Sequence, residues 1–139
     1  MILWLVLTAS MTGLLWLTYG AERVLRIGIP SALGYSTRTG VAGFPPADPE
    51  APPWARRAHA AHLNAVENLP VFVALVVGAH LAGATGPAAT LAAAVYFVAR
   101  LAHFVVYSMG LPVLRTVAYT AAFAAEVVLA VLAVGALLG

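Results

Sequence analysis

Cysteine and lysine are both absent from the 139 residues, and charged residues make up only 9% of them. Without cysteine, the chain has neither a disulfide framework nor a thiolate nucleophile of its own. The Lys and Arg total of seven therefore consists of arginine alone, and the formal net charge is only +2. Because this charge is small and scattered, we expect no nucleic acid among the partners.

Hydrophobic residues take the place of the missing charge. They make up 63% of the chain, whereas soluble globular domains carry roughly a quarter charged residues. A chain of this length cannot bury so much apolar side chain in a core of its own. The composition therefore indicates an integral membrane protein whose surface contacts lipid.

Four segments are long and apolar enough to cross a bilayer, which takes about 20 residues as a helix. We place these helices at residues 2–26, 57–82, 87–108 and 113–138. Residues 28–55 hold six of the nine prolines, and proline ends helices because it lacks an amide donor. The sequence thus predicts a single all-α domain over residues 1–139, a four-helix membrane bundle with one Pro-rich loop.

The arginines indicate the orientation in the membrane. Those that flank or occupy the first loop and the third connection are Arg23, Arg26, Arg38, Arg56, Arg57 and Arg115. The two termini and the turn at residues 83–87 carry none. Because basic loops stay in the cytoplasm, we predict a cytoplasmic Pro-rich loop and both termini on the non-cytoplasmic side.

Polar residues interrupt the apolar pattern at RRAHAAHLNAVENLPVF, residues 56–72. Helical spacing places Arg57, Asn64 and Glu67 on one face of the second helix. The same spacing aligns three residues of the third helix, Arg100, His103 and Tyr107. Ionisable groups in a membrane segment usually face a protein interior or a wet cavity, so these two stripes predict two walls of one site. Arg115 begins the fourth helix beside it, and Pro70 is expected to kink the second.

The residue types favour an anionic, peptide-like ligand. Arginine binds carboxylates bidentately, and asparagine both donates and accepts hydrogen bonds. An arginine at a helix start also stabilises a thiolate, which here has to come from the ligand.

Several alternatives remain open at this stage. A buried Glu67–Arg100 ion pair would fix the helix register without any ligand. His59 and His62 lack a third metal ligand of suitable spacing, so we predict no metal site. Glu126, near the middle of the fourth helix, either pairs with an arginine or stays protonated.

Three motifs carry a resemblance to a known family: Arg57-x6-Asn64-x2-Glu67-x2-Pro70, Arg100-x2-His103-x3-Tyr107 and Arg115-Thr116-x2-Tyr119. They resemble the MAPEG family, membrane-associated proteins in eicosanoid and glutathione metabolism, and in particular its microsomal glutathione transferases. The resemblance implies a homotrimer of left-handed four-helix bundles, with glutathione as cosubstrate between neighbouring subunits near the cytoplasmic face. It implies a transferase or peroxidase acting on lipophilic electrophiles or hydroperoxides.

The resemblance also assigns residues. It implies that Arg115 is the catalytic residue that stabilises the glutathione thiolate. The implied glutathione contacts are Arg57, Asn64, Glu67, Arg100, His103 and Tyr107.

Two departures from the family pattern motivate other functions. Ala60 stands where the family often has an arginine that holds glutathione, and Asn68 stands where some eicosanoid enzymes carry tyrosine. A noncatalytic membrane scaffold or binder with a degraded glutathione site is therefore an alternative. A proton or solute pathway through Glu67, His103, Arg100 and Glu126 is a third hypothesis, although these groups cluster on one side of the bilayer.

Overall fold

The computed structural model describes residues 1–32 and 51–139. Residues 33–50, which include Arg38 and most of the predicted Pro-rich loop, lie outside the described residues. The helices are α1 (Ile2–Ile27), the short α2 (Ile29–Ala32), α3 (Pro53–Leu81), α4 (Pro87–Met109) and α5 (Pro112–Leu138).

Four of these helices are long and apolar enough to span a membrane, and the described residues contain no strand. The prediction of an all-α, multi-pass membrane protein is therefore confirmed. The handedness of the bundle, the trimer and the side of the membrane on which the termini lie stay predictions.

Proline marks the start of three long helices. Pro53, Pro87 and Pro112 each occupy the first helical position of α3, α4 and α5. Proline suits this position because its φ is already helical and its missing N–H has no intrahelical acceptor. Helix α3 consequently begins at Pro53, earlier than the expected residue 57. Pro52 and Pro53, which the sequence analysis counted in the Pro-rich loop, are the N-cap and the first residue of this helix. At Pro70 the same helix continues without interruption to Leu81.

Helices α3 and α4 form the centre of the bundle. They contact each other, and each also contacts α1 and α5, whereas α1 and α5 make no contact through their described residues. The interface holds many alanines, which let helices approach closely in lipid. The buried ones in the main core cluster are Ala89, Ala92, Ala93, Ala99, Ala122 and Ala125.

The two ends of the bundle differ in chemistry. We call the end where α1 and α4 finish and α3 and α5 begin the loop end. The opposite half holds a core in which Phe72 stacks on Tyr96 with ring centroids 3.8 Å apart, beside Val76 and Leu129. All the polar residues that the sequence analysis selected lie on the loop-end side of this stack or at its level.

Candidate functional site

A buried arginine forms the centre of the polar site. Arg100 and His103, on α4, are each only 3% exposed. The Nη2 atom of Arg100 donates a hydrogen bond of 3.0 Å to Oδ1 of Asn64 on α3. The structure therefore joins the two predicted polar stripes through a direct contact between neighbouring helices.

A second polar layer lies deeper in the bundle, below Asn64. Asn68 donates from Nδ2 to the main-chain oxygen of Asn64 at 2.7 Å. The hydroxyl of Tyr96 donates to the main-chain oxygen of Asn68 over a longer distance, 3.5 Å. Sequence reasoning did not assign Tyr96 to the site. The signal was present, because Tyr96 precedes Arg100 by four residues and so shares its helix face.

Aromatic rings extend the site towards the loop end. The His103 ring meets Tyr107 edge-on, with centroids 5.5 Å apart, and Tyr119 of α5 lies 6.1 Å from His103. Arg115 sits at the start of α5, and its Cζ lies 4.9 Å from the centroid of the Tyr107 ring. The structure therefore brings Arg115 to the same aromatic group as His103 and Tyr107, with its own side chain exposed.

Arg57 bonds to the backbone at the end of α4 and not to the other polar side chains of the predicted site. Its Nε donates to the main-chain oxygen of Ser108 at 3.0 Å, in the last turn of α4. The final carbonyls of a helix lack intrahelical donors, and a cation there also complements the helix dipole. In this conformation Arg57 therefore caps α4, at the edge of the site.

Glu67 lies on the outer surface of the helix bundle. Between described residues the ion pair is Arg26 with Glu22, at 2.7 Å. Arg100 bonds to Asn64 instead of Glu67, and Glu67 is exposed, so the alternative of a buried Glu67–Arg100 ion pair is wrong.

The two loop-end histidines of α3 associate with α1. Nδ1 of His62 lies 2.7 Å from the Tyr19 hydroxyl, and the His59 ring centroid lies 5.0 Å from that of Tyr19. Within residues 1–32 and 51–139, no group of three His, Cys, Asp or Glu side chains is placed to hold a metal ion.

Glu126 of α5 is buried, with 7% of its surface exposed. Its Oε1 has no hydrogen-bond partner among the described residues. The polar groups that act on this carboxyl electrostatically are the Arg100 guanidinium and the Tyr96 hydroxyl. Glu126 therefore belongs to the deeper layer with Tyr96, although no direct ion pair joins it to Arg100.

Together, the fold and this geometry define a four-helix membrane-spanning protein with an arginine-rich polar site towards one end of the bundle. The model of the MAPEG family matches residues 1–135, and the chain belongs to that family. No curated protein and no solved structure matches the chain. Members of the family generally use glutathione as a substrate.

Proposed function

We propose that this protein is a membrane-bound, glutathione-dependent transferase or peroxidase acting on lipophilic electrophiles or hydroperoxides. The observation that carries the proposal is the buried Arg100–Asn64 pair with His103 beside it, in a member of a family that generally uses glutathione. Glutathione offers carboxylates, amides and an ammonium group. These groups complement the donors and acceptors of arginine, asparagine and glutamate.

Arg115 is the residue that we assign to the thiolate. None of the described residues accepts a hydrogen bond from its guanidinium, whose position over Tyr107 is fixed by a cation–π contact. Its N–H groups are thus available to an anion, and the positive end of α5 adds to the attraction. The chain has no cysteine, so the sulfur nucleophile belongs to glutathione.

The chemistry then depends on positioning and charge stabilisation instead of a covalent enzyme intermediate. With an electrophile, the thiolate forms a carbon–sulfur bond and the leaving group departs with its electron pair. With a hydroperoxide, the thiolate attacks the terminal oxygen and the O–O bond breaks. The alkoxide takes a proton to become an alcohol, and a second glutathione reduces the resulting sulfenic acid to the disulfide and water.

A complete site would need more than one copy of the chain. Glu67 and Arg115 are exposed on the single subunit, and a charge that faces lipid is costly. We infer that neighbouring copies cover these residues in a homotrimer, with glutathione between subunits near the cytoplasmic side. The lipophilic substrate then reaches the thiolate from the bilayer.

The noncatalytic alternative is favoured by two observations. Ala60 supplies no cation where the resemblance to the family leads us to expect an arginine, and Arg57 already binds the Ser108 carbonyl. A protein that keeps the fold and part of the site would bind a glutathione-like ligand weakly and would not turn it over.

Calorimetric titration of glutathione into the detergent-solubilised protein tests the proposal. Loss of a charge-assisted contact costs about 1.5–3 kcal/mol, so Arg100→Gln and Glu67→Gln should each weaken binding roughly ten- to a hundredfold. His80→Gln, at the opposite end of α3, serves as the matched control and should bind as the wild type does. Binding without conjugation or peroxidase turnover would favour the noncatalytic binder, and no binding at millimolar glutathione would refute the glutathione site.

A further inference from the structure

Pro70 is a weak point in the helix that carries one side of the polar site. It lies inside α3, between the turn that holds Asn64 and the apolar half of the helix. Proline lacks the N–H that would bond to the carbonyl of Val66, and its ring crowds that carbonyl. Helices bend most readily at such positions. The turn that holds Asn64 therefore needs contacts from outside α3 to keep its place beside Arg100.

Tyr96 of α4 contacts α3 on both sides of Pro70. Two residues before the proline, the main-chain oxygen of Asn68 accepts a hydrogen bond from the Tyr96 hydroxyl, with 3.5 Å between the two oxygens. Two residues after it, the Phe72 ring stacks on the Tyr96 ring, with centroids 3.8 Å apart and an interplanar angle of 8°. Both side chains are buried. Because one rigid side chain contacts both segments of α3, a bend at Pro70 disturbs at least one of the two contacts.

The contact before the proline continues directly into the polar site. Asn68 donates from Nδ2 to the main-chain oxygen of Asn64 at 2.7 Å, and Oδ1 of Asn64 accepts from Arg100 at 3.0 Å. Chemistry fixes the orientation of both amides, because a guanidinium only donates and a main-chain oxygen only accepts. Asn64 and Asn68 are one helical turn apart on α3, as are Tyr96 and Arg100 on α4. A displacement of Asn68 therefore also displaces Asn64 relative to Arg100.

We propose that Tyr96 is a positioning residue of the polar site: by holding α3 on both sides of Pro70, it keeps the Asn64 amide directed at Arg100. Its effect on a ligand passes through Asn68 and Asn64. The effect on glutathione rests on the proposed function, whereas the support that Tyr96 gives to α3 exists in the ligand-free protein.

Hydrogen–deuterium exchange of the ligand-free protein tests the support of α3. Tyr96→Phe keeps the ring on Phe72 and removes only the hydrogen bond to Asn68. The net contribution of one hydrogen bond corresponds to roughly two- to tenfold in an opening equilibrium, so amides of residues 64–74 should exchange faster by that factor. Pro70→Ala restores the missing helical N–H, and in that background Tyr96→Phe should change the exchange little. Pro70 is exposed, so its replacement leaves no cavity.

Thr8→Val is the matched control for the loss of a buried hydroxyl. The Thr8 hydroxyl is buried, and its hydrogen bond stays within α1, at 2.7 Å from the Trp4 carbonyl oxygen. This variant should leave exchange in residues 64–74 unchanged in both backgrounds. Unchanged exchange in Tyr96→Phe, or an equal increase with Pro70 and with Pro70→Ala, would overturn the proposal.

Glutathione titration and turnover test the positioning role. Tyr96→Phe should weaken calorimetric glutathione binding by roughly two- to tenfold, but hardly at all in the Pro70→Ala background. The kcat at saturating glutathione should stay close to that of the wild type, because Arg115 at the start of α5 is untouched. Faster exchange with an unchanged glutathione affinity would overturn the positioning role. If the wild type itself binds no glutathione, the proposed function fails, and the exchange data alone decide whether Tyr96 supports α3.

Discussion

Arg115 and Tyr107 form a contact whose two partners can be altered separately. The guanidinium lies over the ring, and the phenol hydroxyl is not part of that contact. Because Arg115 is exposed and at a helix start, its charge is not needed to balance anything buried within the subunit. This makes it suited to stabilise a charge that develops on a ligand.

Replacing Arg115 should therefore affect chemistry more than binding. Arg115→Ala is expected to lower kcat for glutathione conjugation by about a hundredfold, the size of effect seen when one stabilising donor is lost. The calorimetric Kd for glutathione should change far less. Val113→Ala, at an exposed position in the same first turn of α5, serves as the matched control for disturbed packing. Equal loss of binding and turnover in Arg115→Ala would contradict the assignment.

Ala60 offers the opposite test, a gain of contact. It is half-buried on α3, one turn before Asn64. If a missing arginine weakens the site, Ala60→Arg should tighten glutathione binding by about tenfold, since a charge-assisted hydrogen bond is worth about 1.5 kcal/mol or more. Ala60→Gln adds similar bulk without the charge and should leave the Kd nearly unchanged. An unchanged Kd in Ala60→Arg would show that this position lies outside the ligand site.

The ends of the helices position much of the site. Gly110 ends α4 with φ of 79°, and the N–H groups of Gly110 and Leu111 bond back to Tyr107 and Val106. This left-handed termination leaves room for the Arg57 side chain. A Cβ on Gly110 would lie 3.1 Å from Cζ and Nε of Arg57.

Gly110→Ala should consequently lower the stability of the folded protein by more than backbone strain alone would. Gly83→Ala is the matched control, because Gly83 has φ of 81° and a methyl group added there would meet no described atom within 4 Å. Strain from a non-glycine residue at positive φ costs about 1 kcal/mol, so both variants should lower the unfolding midpoint, and Gly110→Ala should lower it further. In an Arg57→Ala background the two losses should become similar. If Gly110→Ala and Gly83→Ala lower the unfolding midpoint equally in the wild-type background, the contact of Arg57 with the end of α4 contributes nothing to stability.

The helices were predictable because lipid leaves few choices for the backbone, which must satisfy its hydrogen bonds internally. Helical spacing also placed Asn64 and Arg100 in the two polar stripes of one site, but it did not predict the direct hydrogen bond between them. The predicted start of α3 is too late because its first prolines resemble those of the loop.

Residues three apart differ by about 60° around a helix, and this offset places Glu67 on the outside of the bundle while Asn64 faces Arg100. Spacing also gave no sign that Arg57 reaches back to Ser108.

The arrangement of the bundle leaves most of its described surface apolar, and the exposed charged side chains among the described residues are Arg56, at the loop end, Glu67 and Arg115. Glu67 belongs to α3 and Arg115 to α5, and both helices present long apolar faces beside them. Such a surface is favourable in lipid only where the charged positions are covered. The contact between copies is therefore expected at these two positions.

Cross-linking tests this arrangement with little background, because the chain has no native cysteine. Two co-expressed copies, one with Glu67→Cys and the other with Phe123→Cys, should form a disulfide-linked pair in membranes upon mild oxidation. Phe123 is exposed on α5, two helical turns deeper than Arg115 and close to the level of Glu67. Leu138→Cys, exposed at the far end of α5, should not cross-link to Glu67→Cys. Native mass spectrometry should give three chains per particle. A monomer that still binds glutathione would refute a site between subunits.

The ionisable part of the interior ends at Tyr96 and Glu126, and no described ionisable side chain is buried beyond them. The remaining half of the core, including Val76 and Leu129, is largely hydrocarbon. This half acts as electrical insulation, so the membrane potential falls mainly across it. A charge that crosses the whole field exchanges about 2.3 kcal/mol per 100 mV, but a ligand that enters from the loop end crosses little of it. The affinity for an anionic ligand should therefore be the same in membranes with and without a membrane potential. The bundle should also not conduct protons across the membrane.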